Sequence, residues 1–265
     1  MAMPALHTED FGSYQLAAAK AGNGPPLLLI AGLGGQAEFW TKQIAPLSEH
    51  FSLILHDHRG TGASSAYEGP FSIAQMAEDV LSLMDRYEVP KASLVGHSTG
   101  GAIGQYIALN HPDRLDKLVL SASWSQPSAY FSALFDLRLR RLETGDPKAY
   151  TIDGALRGFP AWYVMETPQL LSGGGPAQVP SLKTQRGRIE AILQHDLKAK
   201  LGTISVPTFV ICAEDDAITP RPRSEEIARE IPGAALEILP TGGHFAPQAV
   251  PGTYTPAILN FLLGT

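Results

Sequence analysis

Ser98 stands at the centre of Gly96-His97-Ser98-Thr99-Gly100, between an apolar run and a helical run. A serine hydroxyl is a poor nucleophile until a base takes its proton. A strand that turns abruptly into a helix holds its central residue at a strained backbone angle with its side chain exposed, provided the residues two before and two after carry almost no side chain. Gly96 and Gly100 meet that requirement, and the free N–H groups of a following helix would favour developing negative charge. His244, in Thr241-Gly242-Gly243-His244-Phe245, follows the last predicted strand in a glycine-rich loop suited to projecting a side chain, and it is assigned as the general base. The acid that fixes the base's tautomer is sought in Ala213-Glu214-Asp215-Asp216-Ala217-Ile218-Thr219-Pro220. Asp216 is chosen there, with Asp215 as its competitor. Among the other histidines, His7, His50 and His111 read as surface or helix-end residues, His56 and His58 belong to a turn, and His195 lies in a helical region. His97 is expected to point away from Ser98, because adjacent side chains on a tight turn diverge.

These residues need strands to bring them together, and the apolar pattern supplies short ones. Residues 11–19 read as an antiparallel starting strand, followed by buried strands at 27–30, 51–55, 92–95 and 118–120, with helices at 39–50, from Ser72 onward and at 102–110. Short apolar runs alternating with helical patterns indicate a parallel sheet covered on both faces. Two glycine-rich turns sit at strand ends. Ala31-Gly32-Leu33-Gly34-Gly35 lets the backbone approach a ligand, which makes the Leu33 N–H a candidate oxyanion donor beside that of Thr99. Asp57-His58-Arg59-Gly60-Thr61-Gly62-Ala63-Ser64 reads as structural, its Asp57 and Arg59 positioned to pair. A metal site on His56, Asp57 and His58 is disfavoured, since adjacent residues rarely converge on one ion. From about Trp124 to Lys200 helical patterns follow one another with no strand between them, interrupted at Gly145-Asp146-Pro147 and at Ser172-Gly173-Gly174-Gly175-Pro176. The pattern then returns to a strand at 206–212, a helix at 223–230, a strand at 235–239 and a closing helix at 255–263. The expected organisation is an α/β core, 1–123 and 201–265, with a helical cap inserted at 124–200.

The totals bound the function. A chain of 265 residues with 44% hydrophobic and 17% charged residues suits a globular enzyme. A net charge of −6 argues against a general nucleic-acid binder. The single cysteine, Cys212, allows no disulfide within the chain and no cysteine metal cluster, and its apolar neighbours mark it as a core residue. No run approaches a membrane span of roughly 20 apolar residues, and the start lacks a signal peptide's pattern. A cytoplasmic enzyme acting on a small molecule, with no cofactor, metal, nucleic-acid or membrane partner, is the expectation, and a homo-oligomer is compatible with it.

Taken together, the oxyanion loop Gly32-Leu33-Gly34-Gly35, the turn Asp57-x-Arg59-Gly60-x-Gly62-x-Ser64, the serine turn, the acid loop and Gly243-His244 resemble the α/β-hydrolases over nearly the whole chain. The chain order Ser98, Asp216, His244 is that family's. Its oxyanion loop usually starts His-Gly, whereas this chain has Ala31-Gly32. Within the superfamily, Ser72-Ile73-Ala74-Gln75-Met76-Ala77, Ser121-Ala122-Ser123-Trp124 and Tyr130-Phe131 with Phe135 and Arg138 are similar to the aminoacrylate hydrolases of pyrimidine use and, more distantly, to enol-lactonases of aromatic degradation. The resemblance implies a serine hydrolase of carboxylic esters, with hydrolysis of aminoacrylate or a related small anionic compound, or of an enol-lactone, as alternatives. Haloalkane dehalogenation is disfavoured, since its nucleophile at the elbow is Asp. A cofactor-free haloperoxidase shares the three residues, and a ligand receptor is a further reading from a different class.

The cap carries ten Lys and Arg against seven Asp and Glu, so it is net +3 against −9 for the remainder. A basic lid could draw an anionic substrate, although charged helices usually face water. In the predicted helix 129–142, Arg138 falls on the stripe of Phe131, Leu134, Phe135 and Leu142, where it could bind a substrate carboxylate or pair with a protein carboxylate while its stem packs. Trp124, Phe131, Phe135, Trp162 and Tyr163 are candidate pocket walls.

Overall fold

Alternate residues of the central strands enter two different hydrophobic cores, as the period of two in a strand requires. The computed structural model describes residues 3–172 and 181–265. Its eight-stranded sheet has the order β1-β2-β4-β3-β5-β6-β7-β8, in chain order β1 His7–Asp10, β2 Gln15–Ala21, β3 Pro26–Ile30, β4 Ser52–His56, β5 Ala92–His97, β6 Leu115–Ser121, β7 Thr208–Ala213 and β8 Ala235–Leu239. The pairs β1–β2 and β2–β4 are antiparallel and the remaining five are parallel. This is the expected α/β-hydrolase architecture: a mostly parallel sheet with helices on both faces.

On one face Leu27, Leu29, Leu53, Leu55, Val95, Val119 and Ile211 pack with Trp40, Ile44 and Leu47 and with Tyr254, Ile258 and Leu262. Those partners belong to α1 (Thr41–Ser48, with the short turn before it) and the closing helix Pro251–Leu263. On the other face Leu28, Ile30, Ile54, Leu94, Leu118, Leu120 and Val210 meet α2 (Ile73–Arg86), α3 (Thr99–Asn110) and α8 (Pro222–Glu230). Ser72 caps α2 by accepting the Gln75 amide at 3.0 Å, and the helix buries Ile73, Met76, Val80, Leu83 and Met84.

Among the described residues, four α-helices lie between β6 and β7: α4 Ala129–Glu143, α5 Pro147–Gly158, α6 Ala161–Glu166 and α7 Leu182–Leu193. Side chains of Ser128, Asp146 and Ser181 cap α4, α5 and α7, each accepting an amide three residues on. The glycine-rich interruption read at 172–176 lies, from Gly173 onward, outside the described residues. One expectation needs correction. The strand read at 11–19 is the second arm of a hairpin: residues 11–14 form its turn, where Gly12 takes φ 82° and its amide donates to Oδ1 of Asp10 at 2.8 Å. The polar run His7–Asp10 on the sheet edge carries no apolar alternation by which to recognise it.

The register decides what can meet. Ile30 pairs with Gly96, Gly96 with Leu120, His97 with Ser121, Ser121 with Ile211 and Ala213 with Leu239. The carboxyl ends of β3, β5, β6, β7 and β8 therefore share one edge, and the loops leaving them carry every residue singled out for chemistry outside the cap.

Candidate active site

Ser98 follows β5 directly and takes φ 54° and ψ −113°, a rare conformation for a residue with a side chain. Its backbone is held on both sides. Its amide donates to the Ser121 carbonyl at 2.8 Å, and its carbonyl accepts from the Gly101 amide at 2.9 Å and the Ser123 hydroxyl at 3.0 Å. The flanking glycines are required by close approach: a Cβ at Gly96 would collide with the Gly100 carbonyl, and one at Gly100 with the Ile30 carbonyl. The expected strand-turn-helix elbow is thus present, with the reason for its glycines visible.

The turn Gly32–Gly35 is closed by a hydrogen bond from the Gly35 amide to the Gly32 carbonyl at 2.9 Å, which leaves Leu33 in its middle. Gly32 lies against the Ser98 side chain, since a Cβ on it would stand 3.2 Å from Ser98 Cβ. Thr99 opens α3 immediately after the serine. Neither the Leu33 nor the Thr99 amide donates to a backbone carbonyl of another loop or turn among the described residues.

Asp216 and His244 meet. Nδ1 of His244 lies 2.9 Å from Oδ2 of Asp216, and both side chains are buried. Oδ1 of Asp216 accepts the amides of Ile218 at 2.8 Å and Thr219 at 2.9 Å, which fixes the carboxylate from behind. The Thr219 hydroxyl sits 2.9 Å from Oδ2, 2.9 Å from the Ala122 carbonyl and 3.2 Å from the imidazole. Asp215 faces elsewhere, accepting the Thr241 hydroxyl at 2.6 Å and the Gly243 amide at 2.8 Å. The Ser98 hydroxyl has no hydrogen-bond partner among the described residues. The link between nucleophile and base is characteristically long in a site without substrate and tightens once one is bound.

His97 does not point away from this group as expected. Its ring lies 4.8 Å from that of His244 and stacks on Phe39 at 4.5 Å, with Nδ1 3.2 Å from the Ser121 hydroxyl. As the last residue of β5 it faces the core that holds Trp40, so adjacency to Ser98 does not remove it from the site. Burial, and next the neighbouring His244, hold it well below the usual imidazole range.

The turn after β4 also departs from expectation. Asp57 and Arg59 do not pair. Oδ1 of Asp57 accepts the Ala37 amide and Oδ2 the Ala63 amide, both at 2.8 Å, while Arg59 turns to Asp79 and lies over the Tyr14 ring at 3.5 Å. Backbone donors converge on Asp57 because the loop folds round it. No cluster of metal-ligating side chains is found among the described residues.

Of the residues read as candidate pocket walls, Trp124, Phe131 and Phe135 are 1%, 3% and 4% exposed and form one ring cluster, with Trp124 also edge-on to His195 at 5.7 Å. Trp162 is partly exposed and donates from Nε1 to the Thr241 hydroxyl at 3.1 Å. Tyr163 stacks on Phe159 at 4.8 Å. Arg138 is taken up between α4 and α5: it pairs with Asp153 at 3.0 Å and lies over the Tyr150 ring at 4.4 Å. Of its two readings, the structural pair is the one the geometry supports.

Sequence reading missed Arg188. It lies on α7 and is fully buried, and its Nε and Nη2 donate to the Leu33 carbonyl at 3.2 and 3.0 Å. The spacing that selected Arg138 would have found it, because Thr184, Gln185, Arg188, Ile189 and Ile192 form the buried face of α7.

Residues 25–151 match the family model described as alpha/beta hydrolase fold. A protein of Caulobacter sp. (strain K31), named "Putative carbamate hydrolase RutD", is 38% identical over 242 residues, covering 90% of each chain. The structure of a hydrolase from Pseudomonas aeruginosa PA01 superposes with a TM-score of 0.88 at 32% identity, covering 97% of this chain and 98% of that one. The enol-lactonase from Burkholderia xenovorans LB400 gives 0.90 at 27% identity, covering 97% and 100%. An elbow serine on a mostly parallel sheet, an acid and a histidine joined at the same edge, and relatives matched nearly end to end make this chain a hydrolase of the α/β-hydrolase family.

Proposed function

We propose that the protein hydrolyses a small acyl substrate through a covalent intermediate on Ser98, with carboxylic esters as the substrate class. The observation that carries the reading is the buried hydrogen bond from His244 Nδ1 to Asp216 on the same sheet edge as the strained Ser98. That bond fixes the imidazole tautomer, leaving Nε2 free to take a proton. His244 accepts the Ser98 proton as Oγ bonds to the substrate carbonyl carbon, and the amides of Leu33 and Thr99 hold the oxygen on which negative charge develops. The proton then passes to the leaving oxygen as its bond to carbon breaks. Water, deprotonated by His244, attacks the acyl-enzyme and releases the acid, which returns Ser98 to its starting form.

A second reading has a specific observation behind it. The Caulobacter relative, named for carbamate hydrolysis, matches nearly the full chain at higher identity than the enol-lactonase. Hydrolysis of a carbamate or another small C–N compound on the same residues is that alternative. Either reading requires only a small-molecule partner.

The deciding experiment is turnover of nitrophenyl esters from acetate to decanoate, with a carbamate alongside. Fast cleavage of the shorter esters that Ser98→Ala reduces by about 10⁶-fold is the expected result. Wild-type rates in a clean Ser98→Ala preparation would overturn the acyl-enzyme. Carbamate turnover well above that of every ester would move the assignment to the second reading.

A further inference from the structure

Arg188 is a buried cation without a counter-charge. No Asp or Glu among the described residues lies within ion-pairing distance of it, whereas Arg141, the other arginine without an ion pair, is exposed to water. Its five N–H groups are unevenly used. Nε and Nη2 donate to the Leu33 carbonyl, Nη2 also approaches Nδ1 of His58 at 3.1 Å, and Nη1 has no partner. None of these neighbours supplies negative charge. His58 accepts at Nδ1 as a neutral ring, since burial, and then the charge of Arg188 itself, hold it well below the usual range. The oxygen of nearby Tyr150 is taken up by Gln185, whose Nε2 donates to it at 2.7 Å.

Removing a guanidinium from water without an anion is costly, and burial accordingly lowers the Arg188 pKa to about 10. The chain nevertheless makes room for it. A Cβ on Gly35 would stand 2.7 Å from Nη2, so the glycine that closes the oxyanion turn also admits the guanidinium. The charge is therefore lodged against the loop that carries the Leu33 amide.

We infer that Arg188 binds an anionic group of the substrate through Nη1, so that the site takes small acyl compounds bearing a carboxylate separate from the scissile carbonyl. A planar guanidinium with one edge held by Leu33 and His58 presents the other at a fixed angle, as carboxylate recognition requires. The substrate's own charge then completes the ion pair that the folded chain lacks. This inference rests on the acyl-hydrolase reading of Ser98 for its site, and it specifies the substrate class.

The test uses Ser98→Ala protein, in which binding is separated from chemistry. Monomethyl succinate and dimethyl succinate, one monoanionic and one neutral, are titrated by calorimetry. The monoanion is expected to bind at least about tenfold more tightly, with the preference lost in Ser98→Ala/Arg188→Met and partly kept with Arg188→Lys. In protein retaining Ser98, Arg188→Met is expected to lower kcat/KM for the monoanion at least about tenfold more than for the diester. Arg188→Gln serves in place of the methionine variant if that fails to fold. Equal or absent binding of the two probes, or a preference that survives loss of the guanidinium, would overturn the inference and leave Arg188 as a brace between cap and loop. Should Ser98→Ala retain turnover, the acyl-enzyme falls, and the binding comparison still decides Arg188.

Discussion

Asp215 accepts the Gly243 amide at 2.8 Å, one residue before the histidine that its neighbour Asp216 holds at 2.9 Å. Two adjacent carboxylates thus serve one loop, the first through its backbone and the second through the imidazole. Asp216→Asn is expected to leave the fold intact and to lower kcat by about 10³- to 10⁴-fold, because the amide favours the wrong tautomer. Asp215→Asn weakens two hydrogen bonds to the loop and is expected to cost about 1.5–3 kcal/mol in stability with a smaller loss of rate. Kinetics and urea titration of both variants check the division, which a larger rate loss for Asp215→Asn would reverse.

Four buried imidazoles set an acid limit. Burial first, and then Arg188, lowers His56 to about 4, and burial lowers His195 to about 4. His58 and His97 lie well below the usual value. Between the unfolded value of 6.5 and these folded values the unfolded chain binds more protons, so stability is complete above 6.5 and is lost as pH falls toward 4. His56 and His195 each contribute at most about 3 kcal/mol to that loss. Thermal midpoints measured across the window should fall steadily, and less steeply for His195→Leu. An unchanged slope would contradict the assignment of His195.

Gly100→Ala would place a methyl group against the Ile30 carbonyl, at the point where β3 runs into the Gly32–Gly35 turn. Ile30 is held by its pairing with Gly96, just before the elbow that leads into Gly100, so the two backbones cannot separate cheaply. A loss of about 3 kcal/mol or more is expected, with activity falling alongside it. Urea denaturation that matched the wild type would show that the elbow tolerates a side chain.

Arg138 provides the contrast to Arg188. Its ion pair with Asp153 is 11% and 15% exposed, so Arg138→Met should cost about 1–3 kcal/mol and reduce turnover of monomethyl and dimethyl succinate by the same factor. Selective loss on the monoanion would return the carboxylate contact to Arg138.

The sequence by itself determined the local geometry. Glycines flanking a serine, a short apolar run before it and a helix after it specify an elbow, because steric exclusion acts over a few residues. Period-two and period-3.6 patterns likewise located the parallel strands and most helices, and His244 and Asp216 were legible as loop residues beyond strand ends. Tertiary structure alone decided which charges meet. Asp57 took backbone amides and Arg59 took Asp79, 20 residues away, since pairing follows distance in space rather than in the chain. His97 remained beside His244 because β5 turns its ring toward Phe39. Arg138 and Arg188 occupy equivalent stripes on α4 and α7, yet one found Asp153 and the other only a carbonyl and a neutral ring. Helical periodicity says that a side chain faces inward, and only the packed neighbour determines whether its charge is balanced.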